Sequence, residues 1–385
     1  MKITTLSKRE NYKSIIYKSL LKYLEDQFVD NDNIEMTKYY VNKRLSIIFS
    51  DNTPNELFYK SIAEYSHNKN FLKRAFQFFY VKVVAIKFLR KLFSDDFIYL
   101  PSFFSSFSII GGNHRIRLLN IVNSKFLVLL KNGESSHFIQ NELKVRSLTQ
   151  INYLPSITHE LNNNWFYESY ESGIPFNRIN LSKQKKLEYF NYLFYLHNSK
   201  LILPTKEKIN IKIYLESIQS DITNLIKKGN FAPDILPILY QLFSELEKYF
   251  FNSNIDIFTS YTHGDFQEGN LRIQDNRIIV IDWESSDRRF FLYDFFVLLG
   301  NPRHDKFILN SYYTFKEKIH LLDDFPIDFI NENTMLLFFL EELKFYTLEE
   351  NSLNYNTPPK RCIDIILQFI SILSFINFNK NQESQ

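Results

Sequence analysis

The stretch from Tyr261 to Ile273, YTHGDFQEGNLRI, carries two of the eight glycines in a chain of 385 residues. Gly264 and Gly269 stand beside a histidine, an aspartate and an asparagine, and a second acidic segment, RIIVIDWE, follows closely. Glycine adopts backbone angles that other residues avoid, and it lets the main chain approach a ligand closely. A chain that uses little glycine elsewhere and places two here predicts a functional loop.

The sequence after this loop, LRIQDNRIIVIDWE, predicts a β-hairpin that turns at Asp275 and Asn276. Asn270 precedes the first strand and Asp282 ends the second, so the hairpin brings its two outer ends together. Asp265 lies one loop away. Two carboxylates and an amide oxygen are hard ligands that suit Mg²⁺ held between protein and phosphates. The alternative is a hairpin with solvated Asp and Asn side chains at its turns.

This pattern resembles the aminoglycoside phosphotransferase and choline kinase family, part of the protein-kinase-like superfamily. HGDFQEGN is similar to the catalytic loop of that family and VIDWE to its metal-binding segment. The resemblance implies an enzyme that uses ATP and Mg²⁺ to phosphorylate a hydroxyl of a small molecule. It implies that Asp265 is the catalytic base, that Asn270 and Asp282 hold Mg²⁺, and that His263 supports the loop.

The resemblance, which covers roughly residues 100–380, also implies an α+β fold with two lobes, as in protein kinases. We expect a helical N-terminal extension over residues 1–95, a small N-lobe with an antiparallel sheet over 96–170, and a mainly helical C-lobe over 171–385. The stretch FSIIGGNHRIRLLNIVNSKFLVLLK agrees, because it predicts three strands joined by tight turns. Helical periodicity dominates after about residue 180.

The resemblance also implies which residues bind the nucleotide. Gly111 and Gly112, in IIGGNHR, would form the turn over the nucleotide phosphates. Lys131 closes the apolar run FLVLLK and would reach the phosphates from a strand. Glu142 follows eleven residues later on a predicted helix and would pair with this lysine.

Two further segments complete the comparison with the family. The stretch FYESYESGIP matches the hinge between lobes, where the backbone near Ser169, Tyr170 and Glu171 would bind the adenine edge. Asp294, in FFLYDFFVLL, starts a predicted helix, which it would cap while bracing the catalytic loop. Its role would be structural.

The acceptor is the least specified part of the prediction. Relatives phosphorylate aminoglycosides, sugars and amino alcohols such as choline and ethanolamine. Glu341, Glu342, Phe345 and Tyr346, in FFLEELKFYTLEEN, combine acids with aromatic rings, which suits a cationic acceptor. The alternative is a solvated helix face. A second alternative concerns the whole chain, namely a degenerate kinase-like protein that binds nucleotide or a partner without transferring phosphate.

A basic amphipathic helix is predicted within the N-terminal extension, where no acidic residue occurs from Phe71 to Phe93. Its apolar side would contain Phe78, Val81, Phe88 and Leu92. We expect this side to pack on the rest of the chain and leave a solvated basic face. The alternative is peripheral contact with an anionic membrane.

Composition limits the remaining classes of function. The net charge of +3 gives no general case for a nucleic-acid partner. A single cysteine excludes an internal disulfide and fits a reducing, cytoplasmic location. No uninterrupted apolar run reaches the ~18 residues of a membrane-spanning helix. The oligomeric state is left open.

Overall fold

The computed structural model of the chain describes residues 11–27, 34–67, 70–112, 114–120, 125–148, 153–157, 164–228, 235–250, 255–303, 305–322, 329–352 and 360–383. The chain divides into two compact units. The first comprises residues 1–182 and 268–285, and the second comprises residues 183–267 and 286–385. Asn270 and Asp282 therefore belong to the first unit, and Asp265 belongs to the second.

The strands are β1 (Met36–Asn42), β2 (Ile47–Ser50), β3 (Asp96–Pro101), β4 (Ser108–Gly111), β5 (Arg115–Asn120), β6 (Lys125–Leu130), β7 (Trp165–Ser169), β8 (Ile174–Pro175), β9 (Glu207–Asn210), β10 (Asp256–Thr262), β11 (Leu271–Gln274), β12 (Arg277–Val280) and β13 (Asp287–Phe290). The helices are α1 (Tyr12–Gln27), α2 (Asn55–Ile62), α3 (Phe71–Ala85), α4 (Lys87–Leu92), α5 (His137–Leu148), α6 (Lys183–His197), α7 (Ile211–Lys228), α8 (Ile235–Phe250), α9 (Ile308–Ile319), α10 (Glu332–Ser352) and α11 (Lys360–Glu383). Short helical turns at 63–66, 102–104, 176–178, 198–205, 268–270, 283–285 and 293–300 connect them.

The first unit is built on an antiparallel sheet in the order β3-β1-β2-β4-β5-β6-β7. The predicted strand–turn–strand–turn–strand segment forms β4, β5 and β6, and the predicted helix after it forms α5. Helix α1 covers the sheet, and its Ile16 and Leu20 pack among buried strand residues such as Leu118 and Leu129. The α+β class with an antiparallel sheet is therefore confirmed.

The extension predicted to be helical contributes two strands to this sheet. β1 pairs with β2 and with β3, and β2 pairs with β4. Tyr39 and Val41, which are two residues apart, are both buried on the same side of β1, as the two-residue period of a strand requires. The aromatic and β-branched side chains of these segments favour the strand conformation. The expectation of a wholly helical segment over residues 1–95 was therefore wrong for residues 36–50.

The basic amphipathic helix is also different from the one predicted. Ile86 has the extended angles φ −69° and ψ 121°, and it separates α3 from α4. Residues after this break no longer continue the helical face that precedes it. Val81 and Val84 pack against Phe49 and Phe58.

The apolar side chains on the outer surface of these two helices are exposed. Phe78, Phe88 and Leu92, which we expected to be buried, lie in solvent. Of the four residues predicted to face the protein, Val81 alone is buried. The expectation was wrong because α3 uses valines, one helical turn from each other, as its inner face.

The predicted hairpin is present as β11 and β12, with Leu271 opposite Val280. Asp275 and Asn276 both have positive φ, 49° and 62°, as the tightest hairpin turns require. β8 extends this sheet in the order β12-β11-β8. The hairpin brings the main chain of Asn270 beside that of Ile281, whose amide donates to the Asn270 carbonyl at 2.9 Å.

The second unit is mainly helical. It contains helices α6 to α11 and a small antiparallel sheet in the order β13-β10-β9. The predicted strand IFTSYTH forms β10, whereas the predicted helix over 207–228 begins with the short strand β9 before α7. Among the described residues, no helix combines the length and the apolarity that crossing a bilayer requires.

Candidate active site

Asp282 occupies a strained position two residues after β12 in the first unit. Its φ is 70°, a region that non-glycine residues rarely adopt and that is often found at functional sites. Arg115 and Arg117 both donate to its Oδ1 atom, at 2.9 and 2.8 Å. Burial raises the pKa of Asp282, but the charges of Arg117 and Arg115 outweigh it and hold that pKa well below its usual range.

Arg115, at the start of β5, is fully buried and contacts three carboxylates. Its guanidinium donates to Glu142, to Asp282, and to Glu284 at 3.0 Å. A buried cation is tolerated when carboxylates satisfy its donors, and removing one member of such a group leaves an uncompensated buried charge. Arg115 therefore joins β5, α5 and the segment that follows β12.

Two further arginines complete this charged cluster. Arg146 donates to Glu142 and, at 3.0 Å, to Glu168. The Nε atom of Arg117 lies 3.5 Å from Glu168. Burial lowers the pKa of Arg146. The carboxylates around Arg117, Asp282 first among them, overcome the effect of burial and raise the pKa of Arg117 above its ordinary value.

Lys131, the lysine predicted to reach phosphates, is buried beneath the glycine turn. Its ammonium donates to the carbonyl of Gly112. The amide of Gly112 donates to the carbonyl of Arg115 at 2.8 Å, and a Cβ at Gly112 would lie 3.0 Å from that oxygen. Gly111 ends β4 opposite Ile116. The turn is thus too tight for a larger residue without local adjustment.

Glu142, predicted to pair with Lys131, lies on α5 and accepts from Arg115 and Arg146. Neither Arg115 nor Arg146 was predicted from the sequence to belong to the site. The pattern RIRLL offered a weak signal, since two arginines alternate with apolar residues along one strand. In β5 this period directs Arg115 and Arg117 to the same side of the sheet.

The predicted hinge lies at the end of β7. The amide of Ser169 donates to the carbonyl of Ser156 at 2.8 Å, and the Ser169 hydroxyl donates to Glu171 at 2.7 Å. The ring of Tyr170 meets the ring of Phe126 edge-on at 5.4 Å. The Ser169 amide is therefore engaged within the unit.

Asn270 and Asp282 offer the oxygen donors of the predicted metal site. The main-chain carbonyl of Asn270 accepts the amide of Ile281 within the hairpin. Arg115 and Arg117 both bind Oδ1 of Asp282, and Oδ2 takes no part in those two bonds. No cluster of three or more His, Cys, Asp or Glu side chains suited to a metal occurs in the described part of the chain. Mg²⁺ commonly relies on one or two carboxylates together with substrate phosphates. The carboxylate of Asp282 and the side-chain amide oxygen of Asn270 are ligands of the kind that suits Mg²⁺.

Asp294 anchors the loop of the second unit that carries Asp265. Its buried carboxylate accepts from the amide of His263 at 2.7 Å, from the amide of Gly264 at 2.9 Å and from His197 at 2.8 Å. Burial raises the pKa of Asp294, but His197 and His263 hold it below its ordinary value. Gly264 has a φ of 84°, which explains the glycine at this position.

Asp265 is fixed through its main chain while its carboxylate stays accessible. Its amide donates to Nδ1 of His263 at 3.2 Å. Gln267 donates to Oδ2 at 2.9 Å, and Nε of Arg303 lies 3.4 Å from Oδ1. The side chain of Asp265 remains 21% exposed. This arrangement presents a carboxylate at a defined place without burying it.

Arg303 was not singled out from the sequence, and it connects this loop to α10. It donates to the carbonyl of Gly264 at 2.9 Å and to the carboxylate of Glu342. Its guanidinium lies over the Phe345 ring, 3.4 Å from the centroid, and 5.4 Å from that of Tyr346. The acid and the two rings predicted to bind a cation therefore already hold one.

The two predicted acceptor acids are both buried and engaged within the second unit. Glu341 contacts Arg289 and accepts from the hydroxyl of Tyr214. Glu342 accepts from the hydroxyl of Tyr293 at 2.7 Å in addition to Arg303. Burial raises the pKa of both carboxyls.

Comparison with known proteins supports the resemblance drawn from these motifs. Residues 221–325 match the model of the phosphotransferase enzyme family, APH. This segment is of the phosphotransferase family. It includes Asp265, Asn270, Asp282 and Asp294, and the resemblance is confirmed for this segment.

Individual relatives are distant from this chain in sequence. Protein LicA of Haemophilus influenzae is 25% identical over 231 residues, which cover 56% of this chain and 64% of that protein. The chain thus spans less than two thirds of the length of this curated relative. Among solved structures, choline kinase LicA from Streptococcus pneumoniae gives a TM-score of 0.45 at 14% identity, covering 69% of this chain and 92% of that one. Aminoglycoside phosphotransferase APH(4)-Ia, a thermostable mutant in its apo form, gives 0.45 at 12% identity, covering 68% and 95%.

Proposed function

We propose that this phosphotransferase-family protein is an ATP- and Mg²⁺-dependent kinase that transfers the γ-phosphate to a hydroxyl group of a small molecule. The observation that carries the proposal is the anchored loop at Asp265. A buried carboxylate, Asp294, fixes two consecutive amides of that loop, and the Asp265 carboxylate stays partly exposed beyond them. A general base needs this combination of a fixed position and an accessible oxygen.

In the proposed reaction, Asp265 orients the acceptor hydroxyl and accepts its proton as the oxygen attacks the γ-phosphorus, and the bond from that phosphorus to the β,γ-bridging oxygen breaks to release ADP. Phosphoryl transfer depends mainly on positioning and on neutralising charge. Asn270 and Asp282 would hold Mg²⁺, which supplies charge neutralisation at the phosphate oxygens when bound. Lys131 and Arg117 would add positive charge for the phosphates, and the Gly111–Gly112 turn would bring main-chain amides to them.

The adenine edge would be bound by main-chain groups near Tyr170 and Glu171, because the Ser169 amide is engaged with Ser156. We place this activity in the cytoplasm, where ATP is available, and we propose no nucleic-acid partner. The choice between ATP and GTP is part of the test below.

For the acceptor we propose a small hydroxyl compound that carries a cationic group, such as an amino alcohol or an aminoglycoside. Glu342, Phe345 and Tyr346 already hold the guanidinium of Arg303, so they do not offer a vacant cation site. The proposed acceptor class therefore rests on the resemblance of the HGDFQEGN and VIDWE segments to enzymes that phosphorylate such compounds. Neutral sugars serve as the contrasting acceptor class.

The test is a transfer screen with purified protein, ATP or GTP labelled in the γ-phosphate, and Mg²⁺. The acceptors are choline, ethanolamine, an aminoglycoside and a set of neutral sugars. We expect labelled product with a cationic acceptor and none with Asp265→Asn. Transfer to neutral sugars alone would refute the acceptor assignment and leave the kinase assignment standing.

A nucleotide-binding protein without transfer activity is the second candidate. The two arginines on Oδ1 of Asp282 favour it, because they neutralise this carboxylate without a metal ion. In that case ATP would bind equally well with and without Mg²⁺, and Asp282→Ala would not change the affinity for Mg²⁺ with ATP. The kinase proposal requires a dependence on Mg²⁺ that this substitution removes.

A further inference from the structure

Helices α3 and α4 of the first unit expose an unusual amount of apolar surface. Large side chains along α3 and at α4 are 67–77% exposed, namely Phe71, Leu72, Phe76, Phe79 and Phe88. We call the four of these on α3, Phe71, Leu72, Phe76 and Phe79, the apolar face, and Phe88 lies on α4 beyond the break at Ile86. A surface patch of several large apolar side chains, rather than one, marks an interaction site.

The side of α3 that faces the protein is already packed in a buried cluster, so the apolar face is a separate, outward surface of the helix. Val81 and Val84 pack with Phe49, Phe58 and Ile62 in a buried cluster. Tyr80 packs partly against the same cluster. The helix is thus fixed by one side while its other side carries rings into solvent.

Positive charge accompanies this surface, with no acidic residue in the sequence from Phe71 to Phe93. Lys73, Arg74, Lys82 and Lys87 are all exposed on the two helices. The Arg74 guanidinium lies 5.8 Å from the ring centroid of Phe71. Basic side chains thus flank aromatic rings, an arrangement in which the rings enter an interface while the charged ends stay at its polar surface.

We propose that α3 and α4 dock the protein on an anionic lipid bilayer, with the apolar face inserted at the headgroup level. Exposed Phe and Leu side chains on a helix flanked by Lys and Arg fit such a surface, which attracts the cations and accepts the rings. A second copy of the chain is a poorer partner, because a symmetric contact would bring the same cations together. This inference stands apart from the reaction proposed above.

Flotation of the full chain with lipid vesicles tests the proposal. One vesicle preparation is pure phosphatidylcholine, and the other contains equal parts of phosphatidylcholine and phosphatidylglycerol. We expect binding to the second, at least tenfold weaker binding to the first, and weakening at high salt. The double variant Phe76→Asp, Phe79→Asp is expected to lose binding while its melting temperature is unchanged, because both side chains lie in solvent.

Two further variants keep the test decisive. Lys73→Gln with Arg74→Gln removes two exposed cations, and each contributes about fivefold in affinity near an anionic surface, so binding should fall by about 25-fold. Tyr195→Asp, at a residue of the second unit that is also 67% exposed, is the matched control and should bind like wild type.

Three outcomes would overturn the proposal. One is wild-type protein that does not float with phosphatidylglycerol vesicles at low salt. Another is a dimer that the Phe76→Asp, Phe79→Asp variant dissociates, with no vesicle binding, since the apolar face would then be a contact between copies. The third is equal binding by wild type and by the Lys73→Gln, Arg74→Gln variant.

Discussion

Asp282 and Asp265 are two carboxylates from one short stretch of sequence that the protein holds in opposite ways. Asp282, in the first unit, has its charge neutralised directly by Arg115 and Arg117 on one oxygen. Asp265, in the second unit, is fixed through the main chain of its loop, which the buried carboxylate of Asp294 anchors. Asp282 has two guanidiniums on one oxygen, whereas Asp265 lies on an anchored loop with one guanidinium, that of Arg303, at 3.4 Å.

The difference indicates a division of work between the two acids. A residue that is to bind a metal and phosphates needs an environment in which charge is compensated, and a proton acceptor needs a fixed position and an accessible oxygen. The surroundings of Asp265 impose position, whereas those of Asp282 impose charge balance. Substitutions around Asp265 should therefore impair phosphate transfer, whereas substitutions around Asp282 should impair Mg²⁺-dependent ATP binding or stability.

The largest effect is expected for Asp265→Asn. The amide keeps the shape of the side chain but cannot accept the proton, so the transfer rate should fall by about 10³-fold. Nucleotide binding, measured by calorimetry on the same preparation, should remain within about threefold of wild type, because the residue does not bind the metal in this account. A variant that retained the wild-type rate would show that Asp265 is not the base.

A comparably large effect on stability is expected for Arg115→Met. Removing the guanidinium leaves Glu142, Asp282 and Glu284 without their shared cation, and breaking a buried ion pair in this way costs about 3–5 kcal/mol in the free energy of unfolding. Urea denaturation measures it. Arg117→Met is the control, since Arg117 is 18% exposed and should cost less. Equal stability of the two variants would contradict the central place given to Arg115.

Asp294→Asn should have an intermediate and pH-dependent effect. The folded pKa of Asp294 is depressed, so its carboxylate stabilises the fold above the ordinary Asp pKa of about 3.9, and this stabilisation is lost as the pH falls through the folded value. At neutral pH the substitution should cost about 2 kcal/mol, typical of a hydrogen bond to a charged group. Denaturation of both proteins at pH 7 and at about pH 3.5 measures the difference, which should shrink in acid. A difference that grows in acid would mean that the folded pKa is raised.

The smallest effect is expected for Arg303→Lys. Lysine keeps the charge but lacks the planar fork that reaches Gly264, Glu342 and the Phe345 ring together, so we expect a loss of about 1 kcal/mol in stability. The same loop distortion should lower kcat more than it raises KM. Arg277→Lys, at an exposed arginine of β12, is the control and should change neither. A KM effect alone would assign Arg303 to acceptor binding instead.

Local sequence patterns were sufficient for the hairpin β11–β12 and for the strands β4 to β6. Asp275–Asn276 is a turn signal that acts over a few residues, and strand alternation is visible within each segment. The loop glycine at position 264 was interpreted correctly as a backbone requirement, since its φ is 84°.

The charge partners of the acids could not be predicted from local sequence. Arg115 meets Asp282 across 167 residues of chain, and Arg303 meets Glu342 across 39. Such pairs depend on how the strands and helices pack, which a short window of sequence does not contain. The strands β1 and β2 were missed for a local reason, because the turn between them, KRLS at residues 43–46, contains no glycine or proline.

The most direct test of the division of work is one set of measurements on Asp265→Asn and Asp282→Ala, in which Mg²⁺-dependent ATP binding and phosphate transfer to the best acceptor are measured on the same samples. We expect Asp265→Asn to bind ATP with Mg²⁺ like wild type without transferring phosphate, and Asp282→Ala to lose both the Mg²⁺-dependent binding and the transfer. If Asp282→Ala bound ATP with Mg²⁺ as wild type does, or if Asp265→Asn transferred phosphate at the wild-type rate, the two acids would not have the separate roles proposed for them.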